Sequence, residues 1–121
     1  MKIPGPDHPI TIQANPKRVV VTFAGREVAN STHALTLRES TYPAVQYIPR
    51  EDVDMSPFER TTHETVCPYK GHANYYRLKV EGRASENAVW TYEHPYDAVA
   101  EIKEHLAFYP NRVDRIEERS T

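Results

Sequence analysis

Two groupings of residues in this chain carry side chains able to do chemistry. The first is Cys67-Pro68-Tyr69-Lys70-Gly71. A thiol becomes a nucleophile when a nearby cation lowers its pKa. Lys70 follows Cys67 by three residues, and His63 and His72 are close in sequence. Cys67 and Lys70 are therefore the candidate catalytic residues, with Tyr69 between them. The plainer alternative is a small buried Cys in a turn shaped by Pro68 and Gly71, with Lys70 solvated. The second grouping is Arg38, Glu39, Tyr47, Glu86, Trp90 and Tyr92. Glu39 and Glu86 each fall in phase with apolar neighbours along an extended segment, and Trp90 and Tyr92 share the parity of Glu86. Aromatic faces with a few fixed charges form the wall of a small-ligand pocket. Such a wall suits a flat or cationic ligand, through stacking or cation–π contact. The alternative makes the aromatics core and pairs the carboxylates with Arg38 or Arg50.

Two further patterns suggest metal chemistry and fall short of it. Asp52-Val53-Asp54 points alternate carboxylates the same way, as a Mg2+ site for nucleotidyl transfer requires. The chain has only four Gly and no Gly-Ser dipeptide. It therefore lacks the Gly-rich loop that cradles phosphates, which weighs against metal-dependent nucleotidyl transfer. His63, Cys67 and His72 lack the tight pair of a metal site, so no metal and no cofactor are expected. His8 and His94 each precede a proline and fit structural roles.

The elements that must hold these residues follow from patterning. Four prolines in the first sixteen residues predict an extended arm or mobile tail, with a short extended stretch at Ile10–Ile12. Residues 17–113 read as a single domain. Arg18–Phe23 and Glu27–Asn30 flank Ala24-Gly25-Arg26 as a hairpin. Ala34–Arg38 and Val45–Ile48 read as strands, and Arg50–Glu59 as a loop. Thr61–Val66 is β-prone. Tyr75–Val80 and Arg83–Tyr92 form a second hairpin turning at Glu81-Gly82. Pro95 and the stripe Val99, Ile102, Leu106, Tyr109 predict a helix over about 95–109, and the charged tail 114–121 is expected to fray. The sum is a mainly β domain closed by one C-terminal α-helix.

Composition bounds the function. At 121 residues and net charge −2, one domain is the default, and there is no basic excess to hold nucleic acid. No apolar run is long enough to span a membrane, and the Pro-rich start is not a signal peptide. One Cys cannot form an internal disulfide, and a cytoplasmic location is expected. Leu, Ile, Val and Phe supply about a fifth of the chain, a level bordering on disorder. Eight Tyr and one Trp make up the shortfall, so the core must be phenolic, and its hydroxyls need partners.

Several segments together carry a family resemblance. They are Cys67–Gly71 with Ala73 and Tyr75; Arg38-Glu39, Tyr42-Pro43 and Tyr47–Val53; Glu86–Tyr92; and His105–Pro110. Even Gly5–Ile10 fits. On these motifs the chain resembles a bacterial family catalogued as domain of unknown function 427, also labelled nucleotidyltransferase-like. The resemblance covers about residues 5 to 114 and implies a β-tent fold, two antiparallel sheets leaning together. Several β-tent proteins bind zinc through paired CxxC motifs, which this sequence lacks. The expected function is binding of an unidentified small molecule between the sheets, by a monomer or weak homo-oligomer. Tyr47, Trp90 and Tyr92 would line the site with Cys67 and Tyr69. Glu39 and Glu86 would orient polar groups, and Arg38 and Lys70 would supply positive charge. A non-catalytic protein or peptide interaction module is the alternative.

Overall fold

A computed structural model describes all residues, 1–121. Ten strands and three short 3-10 turns make up the chain. The strands are β1 (Ile10–Ala14), β2 (Arg18–Phe23), β3 (Arg26–Ser31), β4 (Leu35–Glu39), β5 (Val45–Tyr47), β6 (Phe58–Cys67), β7 (Gly71–Val80), β8 (Arg83–Thr91), β9 (Leu106–Phe108) and β10 (Arg115–Arg119). They form three antiparallel sheets in the orders β1-β4-β5, β10-β2-β3 and β6-β7-β8-β9. Ile48 and Leu106 exchange both backbone hydrogen bonds at 2.8 Å, which ties the first sheet to the third just beyond β5. No helix is long and apolar enough to cross a membrane.

Both hairpins turn where the glycines predict. Ala24-Gly25 and Glu81-Gly82 link their strands as two-residue loops with positive φ at both positions, the combination that matches the strands' right-handed twist. Between its two neighbours β2 is covered on both faces, and Val19, Val20 and Val21 are fully buried.

The interior divides into two clusters. The larger is mostly aliphatic, built on Val19, Val21, Phe23, Leu78, Val80, Val89, Leu106 and Phe108. The smaller holds Leu37, Tyr47, Ala73, Tyr75, Tyr92, Val99, Ile102 and Ala107, with Trp90, Tyr109 and Cys67 packed against it. β7 feeds both by strand alternation: Ala73 and Tyr75 enter the smaller cluster, Tyr76, Leu78 and Val80 the larger.

Two expectations are corrected. There is no C-terminal helix over 95–109. Asp97–Ile102 is 3-10 turn, broken at Val99 (φ −126°, ψ 27°). Glu104 then takes φ +59°, and Leu106–Phe108 becomes β9, paired with Val89–Thr91. The stripe Val99, Ile102, Leu106 is fully buried as its spacing suggested. A three-residue repeat fits a 3-10 turn as well as an α-helix, and a strand covered on both faces has no alternation to betray it. The tail does not fray: β10 pairs with β2. Its charges form a ladder, Glu117 binding Arg115 at 2.9 Å and Arg119 at 3.1 Å, while Ile116 packs on the larger core. Of the two readings of the N-terminal segment the extended arm holds: β1 pairs with β4, from Ile10↔Glu39 to Ala14↔Leu35.

The tip of the β6–β7 hairpin is held from two sides. Lys2 donates its backbone N–H to Pro68 O at 2.7 Å, and Tyr96 donates to Lys70 O at 3.0 Å. Gly71 is at φ +115°, and a Cβ there would lie 3.4 Å from His94 O. Gly71→Ala is therefore expected to cost about 1–3 kcal/mol in chemical denaturation. Gly5→Ala, with nothing within 4 Å, is expected to stay within about 0.5 kcal/mol of the parent. Equal stability of the two variants would show that the hairpin tip is not held as described.

Candidate functional site

A recess of about 720 Å3 opens among β4, β5, β7, β8, β9 and the β2/β10 pair. Apolar side chains supply 13 of its 19 lining residues. Its aromatic wall is Tyr47, Tyr75, Trp90, Tyr92 and Tyr109, with Tyr42 also lining it. The charged groups in the lining are Glu39, Lys70 and Glu118.

The aromatic wall is an ordered set of rings and hydroxyls. Trp90 lies 4.5 Å from Tyr109 and stands edge-on to Tyr47, at 6.2 Å and 90°. Its indole Nε1–H donates to the Tyr47 hydroxyl at 3.2 Å. Thr65 Oγ1, Tyr75 OH and Tyr109 OH form a chain with links of 2.9 and 3.2 Å. The Tyr92 hydroxyl has no hydrogen-bond partner in the protein, yet it is not sealed off, and Tyr92 lines the recess. Burial pushes the Tyr47 and Tyr92 phenols far above their ordinary value of 10.0. For Tyr47 this outweighs the hydrogen bond from Trp90. Burial, then the bond with Tyr75, pushes Tyr109 up to about 12. These phenols are neutral donors throughout the physiological range.

The charged edge of the recess is a triad from three parts of the chain, an ion pair with a histidine hydrogen-bonded to it. Glu39, the last residue of β4, binds Lys70 Nζ through Oε1 and His8 Nε2 through Oε2, the latter at 2.7 Å. The Lys70 and Glu39 side chains are only 10% and 12% exposed. Burial would raise the Glu39 pKa, but the hydrogen bonds from Lys70 and His8 together outweigh it and hold the carboxyl below its ordinary 4.5. His8 is positioned by Tyr69, whose ring stacks on it at 4.0 Å and 4°.

Five of the nine residues singled out from sequence meet here: Glu39, Tyr47, Lys70, Trp90 and Tyr92. Tyr69 stands outside the lining and supports the triad through His8. Cys67, at the end of β6, is a half-buried free thiol packed against the smaller core and is not part of the lining. Arg38 and Glu86 are not in the recess. Alternation puts Arg38 on the face of β4 opposite Leu37 and Glu39, where it is exposed. Glu86 is exposed and binds Arg77 Nε at 2.6 Å. The β7–β8 register shifts between Tyr76 and Leu78, and Asn87 takes φ +50°, so the parity of Trp90 does not carry back to Glu86.

Sequence reasoning missed His8, Tyr75 and Tyr109. Tyr75 was recoverable, since Tyr76, Leu78 and Val80 sharing one face puts Tyr75 on the other. Tyr109 was assigned to the helix stripe. Nothing local marks His8, whose partner is 31 residues away. Asp52 and Asp54 serve other ends: Asp52 accepts from Ser31 Oγ at 2.6 Å, and Asp54 binds Arg26 and Ser56.

Fold and site together define a small all-β domain with an aromatic recess closed by an ion triad. The chain belongs to the family described as domain of unknown function DUF427, whose model matches residues 11–119. No curated protein matches it.

Removing one partner of a buried ion pair leaves an uncompensated charge. Glu39→Gln is therefore expected to cost about 3 kcal/mol at neutral pH, against about 1 kcal/mol or less for Arg77→Ala on the exposed surface. Because the folded pKa of Glu39 is depressed, its contribution is fully present above pH 4.5 and fades as pH falls through the lower folded value. The gap between parent and Glu39→Gln should close in that window; a gap unchanged down to about pH 3 would exclude the triad as its source. The phenols give a separate check. In the folded protein, ultraviolet titration to about pH 11 should yield the same phenolate signal from the parent, Tyr47→Phe and Tyr92→Phe. A smaller signal from either variant would show that its phenol ionises normally.

Proposed function

We propose that this chain is a small-molecule-binding domain whose ligand occupies the aromatic recess. One observation carries the proposal: a recess of about 720 Å3 has an aromatic wall and also gathers Glu39, Lys70 and two phenols without acceptors. Volumes of this order suit a small organic ligand, and a mostly apolar lining with few placed polar groups is what such sites use. A packed core of the same area would favour Phe, since every buried hydroxyl needs a partner. The same reading takes the sheets as a β-tent. The Ile48–Leu106 bridge joins two of them, and Val21 and Ile116 line the recess from the other. An interaction module gripping a peptide would need its aromatics raised on a face, whereas here Trp90 and five tyrosines line a concavity.

Trp90 is the single Trp of the chain, so its fluorescence reports on the recess alone. A thermal-shift screen of neutral, cationic and anionic metabolites should find compounds that raise Tm with concentration and perturb this fluorescence. Trp90→Ala should weaken their binding by at least about tenfold. A screen without hits, or hits that bind Trp90→Ala equally well, would refute the assignment.

A further inference from the structure

We propose that the ligand of the recess is a neutral, planar molecule bearing a hydrogen-bond-accepting carbonyl oxygen, received by the hydroxyls of Tyr92 and Tyr47. This rests on the recess being a ligand site and specifies the chemistry of what enters it.

The ionic groups at the edge of the recess are already taken. Both oxygens of Glu39 are engaged, one by Lys70 and one by His8. The Lys70 ammonium is in turn bound to Glu39. At this edge of the recess a cationic ligand finds no free carboxylate and an anionic ligand no free ammonium. Glu118 is exposed and its Oε1 already accepts from Asn15 at 2.8 Å. At the Glu39–Lys70 edge a charged ligand would shed its hydration without gaining an unpaired counter-charge, a costly exchange, and the exposed carboxylate of Glu118 would attract a cation only through water-screened charge.

On the aromatic wall the unused hydrogen-bonding capacity is phenolic. Tyr47 accepts from Trp90, so its oxygen is engaged while its own proton has no acceptor in the protein. The Tyr92 hydroxyl has no partner at all. The Tyr47 and Tyr92 rings are neighbours in the lining, with centroids 6.5 Å apart and planes tilted by 43°. Two neutral O–H donors on neighbouring rings are matched by an acceptor with two lone pairs, and a carbonyl oxygen is the simplest such group. The donors also exact a penalty from a ligand that lacks an acceptor, because they would be desolvated and left unpaired. Planarity follows from the wall, where Trp90, Tyr92 and Tyr109 present ring surface and the lining is otherwise apolar.

Four probes of near-identical size separate the possibilities: acetophenone, α-methylstyrene, benzoate and benzamidinium. All share one planar ring. They carry respectively a neutral carbonyl, no acceptor, an anion and a cation. Binding is read from the indole N–H resonance of Trp90 in a nitrogen-15 correlation spectrum of the full chain. Acetophenone should bind at least about tenfold more tightly than each of the others. Tyr92→Phe should remove most of that advantage, weakening acetophenone and strengthening α-methylstyrene, which no longer leaves that donor unpaired, and Tyr47→Phe should reduce it as a second, independent variant. Tighter or equal binding of α-methylstyrene, benzoate or benzamidinium overturns the carbonyl assignment while leaving the recess as a ligand site. So does an acetophenone advantage that survives both substitutions. Binding of none of the four at saturating concentration overturns the ligand-site reading itself.

Discussion

The carboxylate of Glu39 is the point at which three otherwise separate stretches of chain are pinned together. It ends β4, it takes His8 from the N-terminal segment, and it takes Lys70 from the tip of the β6–β7 hairpin. Each partner is itself held. His8 stacks on Tyr69, which belongs to the same hairpin tip, and the backbone of Lys70 accepts from Tyr96. The first pair of the β1–β4 register is Ile10 with Glu39, so the triad and the first strand of the sheet are one device. With both side chains nearly buried, neither charge can be left alone without a large cost. That cost is what fixes the arm, the sheet edge and the hairpin in one arrangement around the recess.

A second constraint decides where the tyrosines go. The larger core is filled by Val, Leu and Phe, with Tyr76 near its edge. The smaller core takes Tyr47, Tyr75 and Tyr92, with Trp90 and Tyr109 packed on it. Phenols in an interior need partners, and here many of those partners are one another. Trp90 donates to Tyr47, and Thr65, Tyr75 and Tyr109 form a chain. Such a network fixes ring orientations more tightly than apolar packing does. The shortage of aliphatic residues is thus not spread evenly. It falls on the cluster that faces the recess.

Much of this was legible in the residues, and the failures have physical causes. The glycine-marked hairpins and the strands around Leu37 and Tyr47 follow from alternation and turn chemistry, and Glu39, Lys70, Trp90 and Tyr92 do line one recess. Alternation failed where the backbone itself departs from it. The irregularity at Asn87 removes Glu86 from the face of Trp90. Arg38 was placed with Glu39 for its charge, although adjacent residues of a strand point to opposite faces. Leu106-Ala107-Phe108 is buried on both sides, so its pattern is continuous and mimics a helix end. β10 hides as a charged tail because its Arg and Glu side chains pair with one another along the strand. The contact of His8 with Glu39 is purely long-range, and no local pattern carries it.

The recess is therefore polar without carrying free charge at its ion-paired edge, and the choice of side chains explains how. A free carboxylate or ammonium there would demand a counter-ion and would make the site's occupancy depend on ionic strength. A phenol held far above its ordinary pKa by burial gives a directional donor that stays neutral across the physiological range. The one carboxylate and the one ammonium that do reach this edge neutralise each other, and their pairing fixes the backbone around it. Positive charge at Lys70 is thus structural in its first effect: it holds Glu39, and Glu39 holds the arm. What remains for a ligand is a set of ring faces and O–H groups whose geometry is set by a pair of charges directed at each other.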